Sequence, residues 1–144
     1  MQLRRATMDD ALDVLVWRND ETTRQNSFTQ DLISQEDHLK WFKRKLEDEN
    51  CIMYILEDGT SVGSIRLDVT DNIGEISYMI APDKRGKGYG KKILKLVEQT
   101  SEAGEIKSLV GFVNESNPAS AKCFESNGYV KLIANNIYCY IKTR

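Results

Sequence analysis

The sequence has no long hydrophobic run, no excess of positive charge and little cysteine or histidine. Its longest apolar stretch, Cys51 to Leu56, is far too short to span a bilayer, and the opening residues Met1 to Asp10 carry no apolar export segment. Neither membrane insertion nor secretion is expected, and a cytoplasmic setting follows. The formal net charge of -2 gives no global positive field that would point to nucleic acid or to an anionic membrane. Cys51, Cys123 and Cys139 are odd in number and lack C-x-x-C spacing, which leaves neither a disulfide framework nor a zinc or redox site. No metal is expected. Histidine occurs once, at His38, and no repeat or low-complexity tract interrupts the chain.

What is present is the composition of a globular domain, with 40% hydrophobic and 29% charged residues. A chain of 144 residues can bury roughly 70% of its unfolded surface, so one domain over residues 1–144 is expected. A first helix is expected over residues 9–18, with Ala11, Leu12, Leu15 and Val16 on one face. Ser34 and Asp37 resemble a capping box for a second helix, on which Leu39, Phe42 and Leu46 recur at helical spacing. Strands follow at Cys51 to Leu56, Val62 to Val69 and Ile73 to Ala81, joined by turns at Asp58-Gly59 and Asp71-Asn72. A third helix carries Gly90, Ile93, Leu94, Val97 and Ser101 on one face and stops at Ala103-Gly104. Leu109 to Val113 returns as a strand, Asn117-Pro118 opens a last helix, and Asn135-Asn136 joins two terminal strands.

Positive charge is concentrated where the whole chain is slightly acidic. Between Asp83 and Lys95 stand Lys84, Arg85, Lys87, Lys91, Lys92 and Lys95 against one acid. Lys91 and Lys92 fall in the first turn of a helix, where the dipole disfavours each by about 0.3 to 1 kcal/mol unless an anion is near. Gly86, Gly88 and Gly90 let successive N–H groups converge ahead of that helix, the outline of a diphosphate cradle. The spacing is neither a Walker A loop nor a dinucleotide fingerprint. A glycine-rich turn beside a solvated lysine face would explain the same residues without a ligand.

The segment from Ile80 to Gly90, Ile-Ala-Pro-Asp-Lys-Arg-Gly-Lys-Gly-Tyr-Gly, resembles the acetyl-CoA signature Arg/Gln-x-x-Gly-x-Gly/Ala of the GNAT acetyltransferase superfamily. The order of elements is similar too, from a first strand near Leu3 to the last strand pair. This resemblance implies a mixed α/β fold, a largely antiparallel sheet of about seven strands flanked by about four helices. It implies acetyl-CoA as co-substrate, its pyrophosphate on Arg85, Gly86, Lys87, Gly88, Tyr89 and Gly90, and its pantetheine arm along Met79, Ile80 and Ala81. Amides of that strand would also polarise the thioester carbonyl. The stretch Asn117 to Tyr129 resembles the family's second motif, and assigns Asn117 and Phe124 to the donor. Asn117 would cap its helix in any case. Phe124 departs from the family, because many members carry there a tyrosine that protonates the departing thiolate. Solvent is then expected to supply the proton, with the ring packing against the pantetheine channel.

Amine acetylation needs a neutral nitrogen, which an α-amino group near pKa 8 supplies far more readily than a lysine near 10.4. Glu75, on the strand leading into the signature, is the first candidate base, and His38 is the second. Either can equally be a surface side chain. Trp17, Arg18, Asn19, Arg24 and Trp41 lie in acceptor-side segments similar to those of the subgroup that acetylates nucleotide-linked amino sugars. The arginines would bind the diphosphate and a tryptophan would stack on base or sugar, although aromatics at helical spacing more often pack helices together. The expected reaction is direct attack of a small-molecule primary amine on acetyl-CoA in a ternary complex. A protein or peptide N-terminus is the alternative acceptor, and a non-catalytic acyl-CoA-binding domain is a third reading. The resemblance leaves a homodimer open.

Overall fold

The computed structural model describes residues 1–28, 30–100 and 102–144. The chain runs through β1 (Gln2–Arg5), α1 (Ala11–Asn19), α2 (Glu21–Gln25), α3 (Gln35–Glu47), β2 (Cys51–Glu57), β3 (Ser61–Thr70) and β4 (Ile73–Ile80), then α4 (Tyr89–Glu98), β5 (Ser108–Asn114), α5 (Pro118–Ser126), β6 (Val130–Ala134) and β7 (Ile137–Thr143). The strands form one seven-stranded sheet in the order β1-β2-β3-β4-β5-β7-β6. Every neighbouring pair is antiparallel except β4 and β5. This is the mixed α/β fold expected. A fifth helix, α2, was not anticipated because its five residues bury no side chain and so leave no hydrophobic period. Among the described residues no helix is long and apolar enough to cross a membrane.

Alternation along the strands divides the core into two layers. Tyr54, Leu56, Val62, Ile65, Leu67, Ile76, Leu109 and Tyr140 pack on one face against Ile93, Leu94 and Val97 of α4 and Phe124 of α5. Met53 and Ile55 point to the other face and meet Ala11, Val14 and Trp17 of α1 and Phe42 of α3. The inner face of α1 is therefore not the one the sequence suggested. Leu12 and Val16 are 55% and 65% exposed, and Val14 and Trp17 take their place. With apolar residues around most of α1, periodicity does not select a face, and contact with α3 does.

Helix ends follow the sequence closely. Ser34 Oγ accepts the Asp37 N–H at 3.2 Å, and Asn117 Oδ1 accepts the Ser120 N–H at 3.3 Å ahead of Pro118. The helix α4 ends earlier than expected, at Glu98, where the Gln99 N–H turns back to Leu96 and Val97; Ser101 lies outside the described residues. Asp71-Asn72 and Asn135-Asn136 both adopt left-handed φ values, 52° and 65° and then 49° and 67°, as two-residue hairpin turns require.

Asp10 ties β1 to the start of α1. Its carboxylate accepts from Arg4 Nη1 and Nη2 at 2.9 and 2.7 Å and from the Thr7 N–H at 2.9 Å. The Arg4 hydrogen bonds hold this carboxyl below its ordinary range, against the opposing effect of burial. A lowered folded-state value stabilises the fold above the unfolded value near 3.9, and that contribution is lost as pH falls through the folded value. Asp10→Asn is expected to lose about 1 to 3 kcal/mol at pH 7. Urea unfolding of both proteins should show the difference shrinking below about pH 4. A gap independent of pH would contradict the assignment.

What positions the site is the one parallel pair. Register between β4 and β5 runs from Ile73↔Ser108 to Ile76↔Gly111 and then stops, although β4 continues to Ile80 and β5 to Asn114. Beyond Ile76 the two strands part, and a gap opens in the middle of the sheet.

Candidate active site

The Ala81 N–H donates to Val62 O on β3 at 2.8 Å. By alternation the amides of Met79 and Ser77 face β3 as well, while those of Tyr78 and Ile80 face the gap left by β5. Of the three residues expected to meet the pantetheine arm, Ile80 alone therefore turns its N–H toward it. The strand leads directly into the glycine-rich loop. Gly86 and Gly88 hold φ of 75° and 83°, and open space surrounds the position of a Cβ at each. Gly88 is the N-cap of α4 and supplies no side-chain cap, so the first N–H groups of that helix have no protein acceptor from it. Gly90 has a different function. A Cβ there would sit 2.8 Å from Cys123 Sγ, so the glycine lets α4 approach α5.

This loop opens into a cavity of about 830 Å³ that extends across the gap to α1 and α3. Lys84, Arg85 and Lys91 border its loop end, Tyr78, Asn117, Ser120 and Cys123 its middle, and Arg18, Trp41, Arg66 and Ser77 its far end. Arg85 reaches Asp20 Oδ2 at 2.7 Å and Thr23 Oγ1 at 2.8 Å, which ties the loop to α2 and holds the Asp20 carboxyl below its ordinary range. Uncapped N–H groups, glycines with open space and flanking cations fit a diphosphate, as acetyl-CoA carries. The volume suits a ligand of that class together with a small acceptor.

At the far end two guanidinium groups share one indole. Arg18 lies 4.1 Å from the Trp41 ring centroid and Arg66 lies 5.0 Å from it. Arg66 pairs with Asp68 at 2.8 Å, a carboxylate it shares with Lys45 at 2.9 Å, and donates to Ser77 Oγ at 3.3 Å. No carboxylate pairs with Arg18 among the described residues. Its Nη1 instead donates to His38 Nδ1 at 3.0 Å. Burial, and secondarily the charge of Arg66, lowers the Arg18 guanidinium to about 10. A half-buried cation without a counter-ion attracts an anionic ligand group.

His38 is not brought to the cavity. It is fully buried, with Nε2 donating to Ala11 O at 2.7 Å, so Nδ1 accepts from Arg18 and the ring is neutral. Burial lowers its pKa further. The ring holds α1 to α3 and positions Arg18. Glu75 stands exposed on the early part of β4, opposite Asp68 and Val110, outside the cavity lining. It shares a face with Ser77, which does line the cavity, and any contact with the acceptor would require intervening water. Ala81 is buried in the α1–α3 layer, and Lys87 is exposed beside the loop without lining the cavity. Trp17 belongs to the core. Asn19 holds the segment before α3, donating to Ile33 O and accepting the Ile33 N–H, both at 2.8 Å, and Arg24 braces the same segment through Asn19 O and Gln30 O.

Phe124 is also absent from the cavity wall. Its ring is 2% exposed, stacks on Tyr140 at 5.2 Å and lies over Gly111, where a Cβ would overlap it. Residues that line the cavity and were not singled out include Asp31, Ser64, Arg66, Ser77, Tyr78, Ser120 and Cys123. Ser77 shares the alternation face of Glu75 and Met79, which was the available signal for it; nothing in the sequence showed where β4 and β5 part.

Residues 1–130 match the acetyltransferase (GNAT) domain family, and the chain belongs to that family. It is an N-acetyltransferase that uses acetyl-CoA as acyl donor. It is 25% identical over 114 residues to the uncharacterized N-acetyltransferase YfmK of Bacillus subtilis (strain 168), covering 78% of this chain and 74% of that protein. Its fold matches an aminoglycoside acetyltransferase, AAC(6')-Ib, in complex with coenzyme A, at a TM-score of 0.83 and 20% identity, over 99% of this chain and 94% of the other. A ribosomal-protein-alanine N-acetyltransferase from Brucella melitensis matches at a TM-score of 0.81 and 19% identity, over 100% of both chains.

Proposed function

We propose that the protein acetylates the amino group of a small molecule bearing an anionic group, with a nucleotide-linked amino sugar as the acceptor. The observation that carries this reading is Arg18, a guanidinium without a carboxylate partner among the described residues, at the opposite end of the cavity from the glycine-rich loop. Acetyl-CoA, when bound, supplies a thioester carbonyl activated for attack. The chain's own residues then have separable tasks. The α4 entrance and Lys84, Arg85 and Lys91 hold the diphosphate, and the Tyr78 and Ile80 amides offer donors toward the thioester carbonyl. Arg18 over Trp41 anchors the acceptor's phosphate, while the indole gives a flat face for a base or sugar. With both substrates in one cavity, transfer is direct, and the amine loses its proton to water. Unpaired cysteines suit the cytoplasm, where acetyl-CoA is available.

Thiol release from acetyl-CoA should be measured with a uridine-diphosphate-linked amino sugar, free glucosamine, kanamycin, spermidine and a short peptide. The nucleotide-linked amine is expected to give the highest kcat/KM. Arg18→Gln should raise its KM at least about tenfold, equivalent to about 1.4 kcal/mol, while acetyl-CoA affinity stays unchanged. Higher kcat/KM with spermidine or kanamycin would refute the acceptor reading and leave acetyl transfer standing.

A further inference from the structure

When an amine displaces a thiol from an acyl group, the nitrogen lone pair forms the C–N bond and the C–S bond breaks with its electron pair on sulfur. The sulfur then takes a proton, and the nitrogen gives one up. A donor to that sulfur must carry an exchangeable proton and stand where the gap between β4 and β5 meets the cavity. Phe124 has no such proton and sits in the core. The Tyr89 hydroxyl is spent on Asp58 Oδ2, at 2.6 Å. Tyr78, Ser120 and Cys123 stand there together; of these Tyr78 lies on the first stretch of β4 beyond its pairing with β5, with its own amide facing the gap. Its hydroxyl lies 2.8 Å from Ser120 Oγ.

We propose that Tyr78 is the catalytic acid of this acetyltransferase, giving its phenolic proton to the departing CoA sulfur, with Ser120 returning a proton from solvent. The inference rests on acetyl transfer but not on which amine is the acceptor. Either hydroxyl of the pair can donate. If Ser120 Oγ–H donates to Tyr78, the phenolic proton is left for the cavity side, where the Cys123 thiol is its other neighbour. Ser120 is held for this task by α5, since its backbone N–H is fixed by Asn117 Oδ1 at 3.3 Å. Burial raises the Tyr78 pKa, which keeps the phenol in its proton-bearing form at working pH. The T-shaped contact with Phe124, 6.0 Å between centroids, fixes the ring. The protons balance: Tyr78 loses one to sulfur and regains one through Ser120 from water, and the amine releases one to water.

The test compares wild type, Tyr78→Phe and Ser120→Ala for thiol release with the amine the wild type acetylates best, and for the slow hydrolysis of acetyl-CoA without amine. Hydrolysis also expels the sulfur, so an acid that assists its departure is read by that assay whatever the natural acceptor is. Tyr78→Phe is expected to lower kcat about 100-fold in both assays, within the range for general acid catalysis. Acetyl-CoA affinity by calorimetry should stay within about threefold, and Ser120→Ala should lose about tenfold or less. The ratio of wild-type to Tyr78→Phe rate should grow from pH 6 to pH 9, because solution acids that replace the phenol become scarcer. A purely structural tether would instead shift affinity or melting temperature, with a rate ratio independent of pH. Retention of kcat within about twofold by Tyr78→Phe would overturn the proposal. A wild type that hydrolyses acetyl-CoA but acetylates none of the anionic amines would count against the acceptor reading, and the hydrolysis assay would still decide Tyr78.

Discussion

Gly88→Asp is expected to weaken acetyl-CoA binding at least about 100-fold, or about 2.7 kcal/mol, while lowering the melting temperature by only a few degrees. Gly88 holds φ of 83° as the N-cap of α4, and open space surrounds the Cβ position. A side chain there costs about 1 to 2 kcal/mol for the left-handed backbone, without a steric clash. A carboxylate at the positive end of the α4 dipole offsets part of that cost. The same charge competes for the first-turn N–H groups that a diphosphate requires, and it repels the phosphates. Stability and binding thus separate in this variant. Gly88→Ala, which has the strain without the charge, should lose less affinity, and the two measured by calorimetry divide backbone strain from electrostatics. Affinity within about fivefold of wild type for Gly88→Asp would place the diphosphate elsewhere.

Phe124→Ala is expected to cost about 3 to 5 kcal/mol of stability, a large share of the total for a domain of this kind. The ring is stacked on Tyr140 at 5.2 Å and meets Tyr129 edge-on at 5.0 Å, with Tyr78 against its other side. Gly111 leaves it room, since a Cβ at that position would overlap the ring. Gly111→Ala should therefore destabilise the protein through the same contact. Chemical unfolding should show both losses, with Phe124→Ala melting roughly 10 °C or more below wild type. Phe124 was expected to line the pantetheine channel, in which case its truncation would act first on donor affinity. Its burial makes stability the primary effect. A loss below about 1 kcal/mol would mean that the aromatic cluster is less tightly packed than its geometry implies.

Much of the fold was legible because its punctuation is local. Asp71-Asn72, Asn135-Asn136, Asn117-Pro118 and Gly88 each require a particular backbone conformation, and each occupies it. The glycine-rich end of the cavity was legible for the same reason. Side chains at the acceptor end depend on which faces of α1 and α3 meet, and sequence periodicity does not determine that. His38 has the chemistry of a base, yet its two ring nitrogens are used to join Ala11 O and Arg18. Trp17 and Trp41 are equally aromatic, but Trp17 packs in the core while Trp41 lies under the two arginines. Tyr78 alternates with Ser77 and Met79 and so lies on the opposite face of β4 from Glu75. Its position follows from the place where β4 and β5 cease to pair.

The central claim is that donor and acceptor meet in one cavity and exchange the acetyl group directly. Initial rates of thiol release measured over a grid of acetyl-CoA and amine concentrations, with the intact mass of the protein recorded during turnover, test it most directly. Intersecting double-reciprocal lines and an unmodified protein are the expected result. The contrary outcome has a specific place to appear, because the Cys123 thiol lines the cavity beside Tyr78 and Ser120. Parallel lines together with an acetyl group on Cys123 would show that the enzyme first takes the acetyl group itself, and would contradict direct transfer.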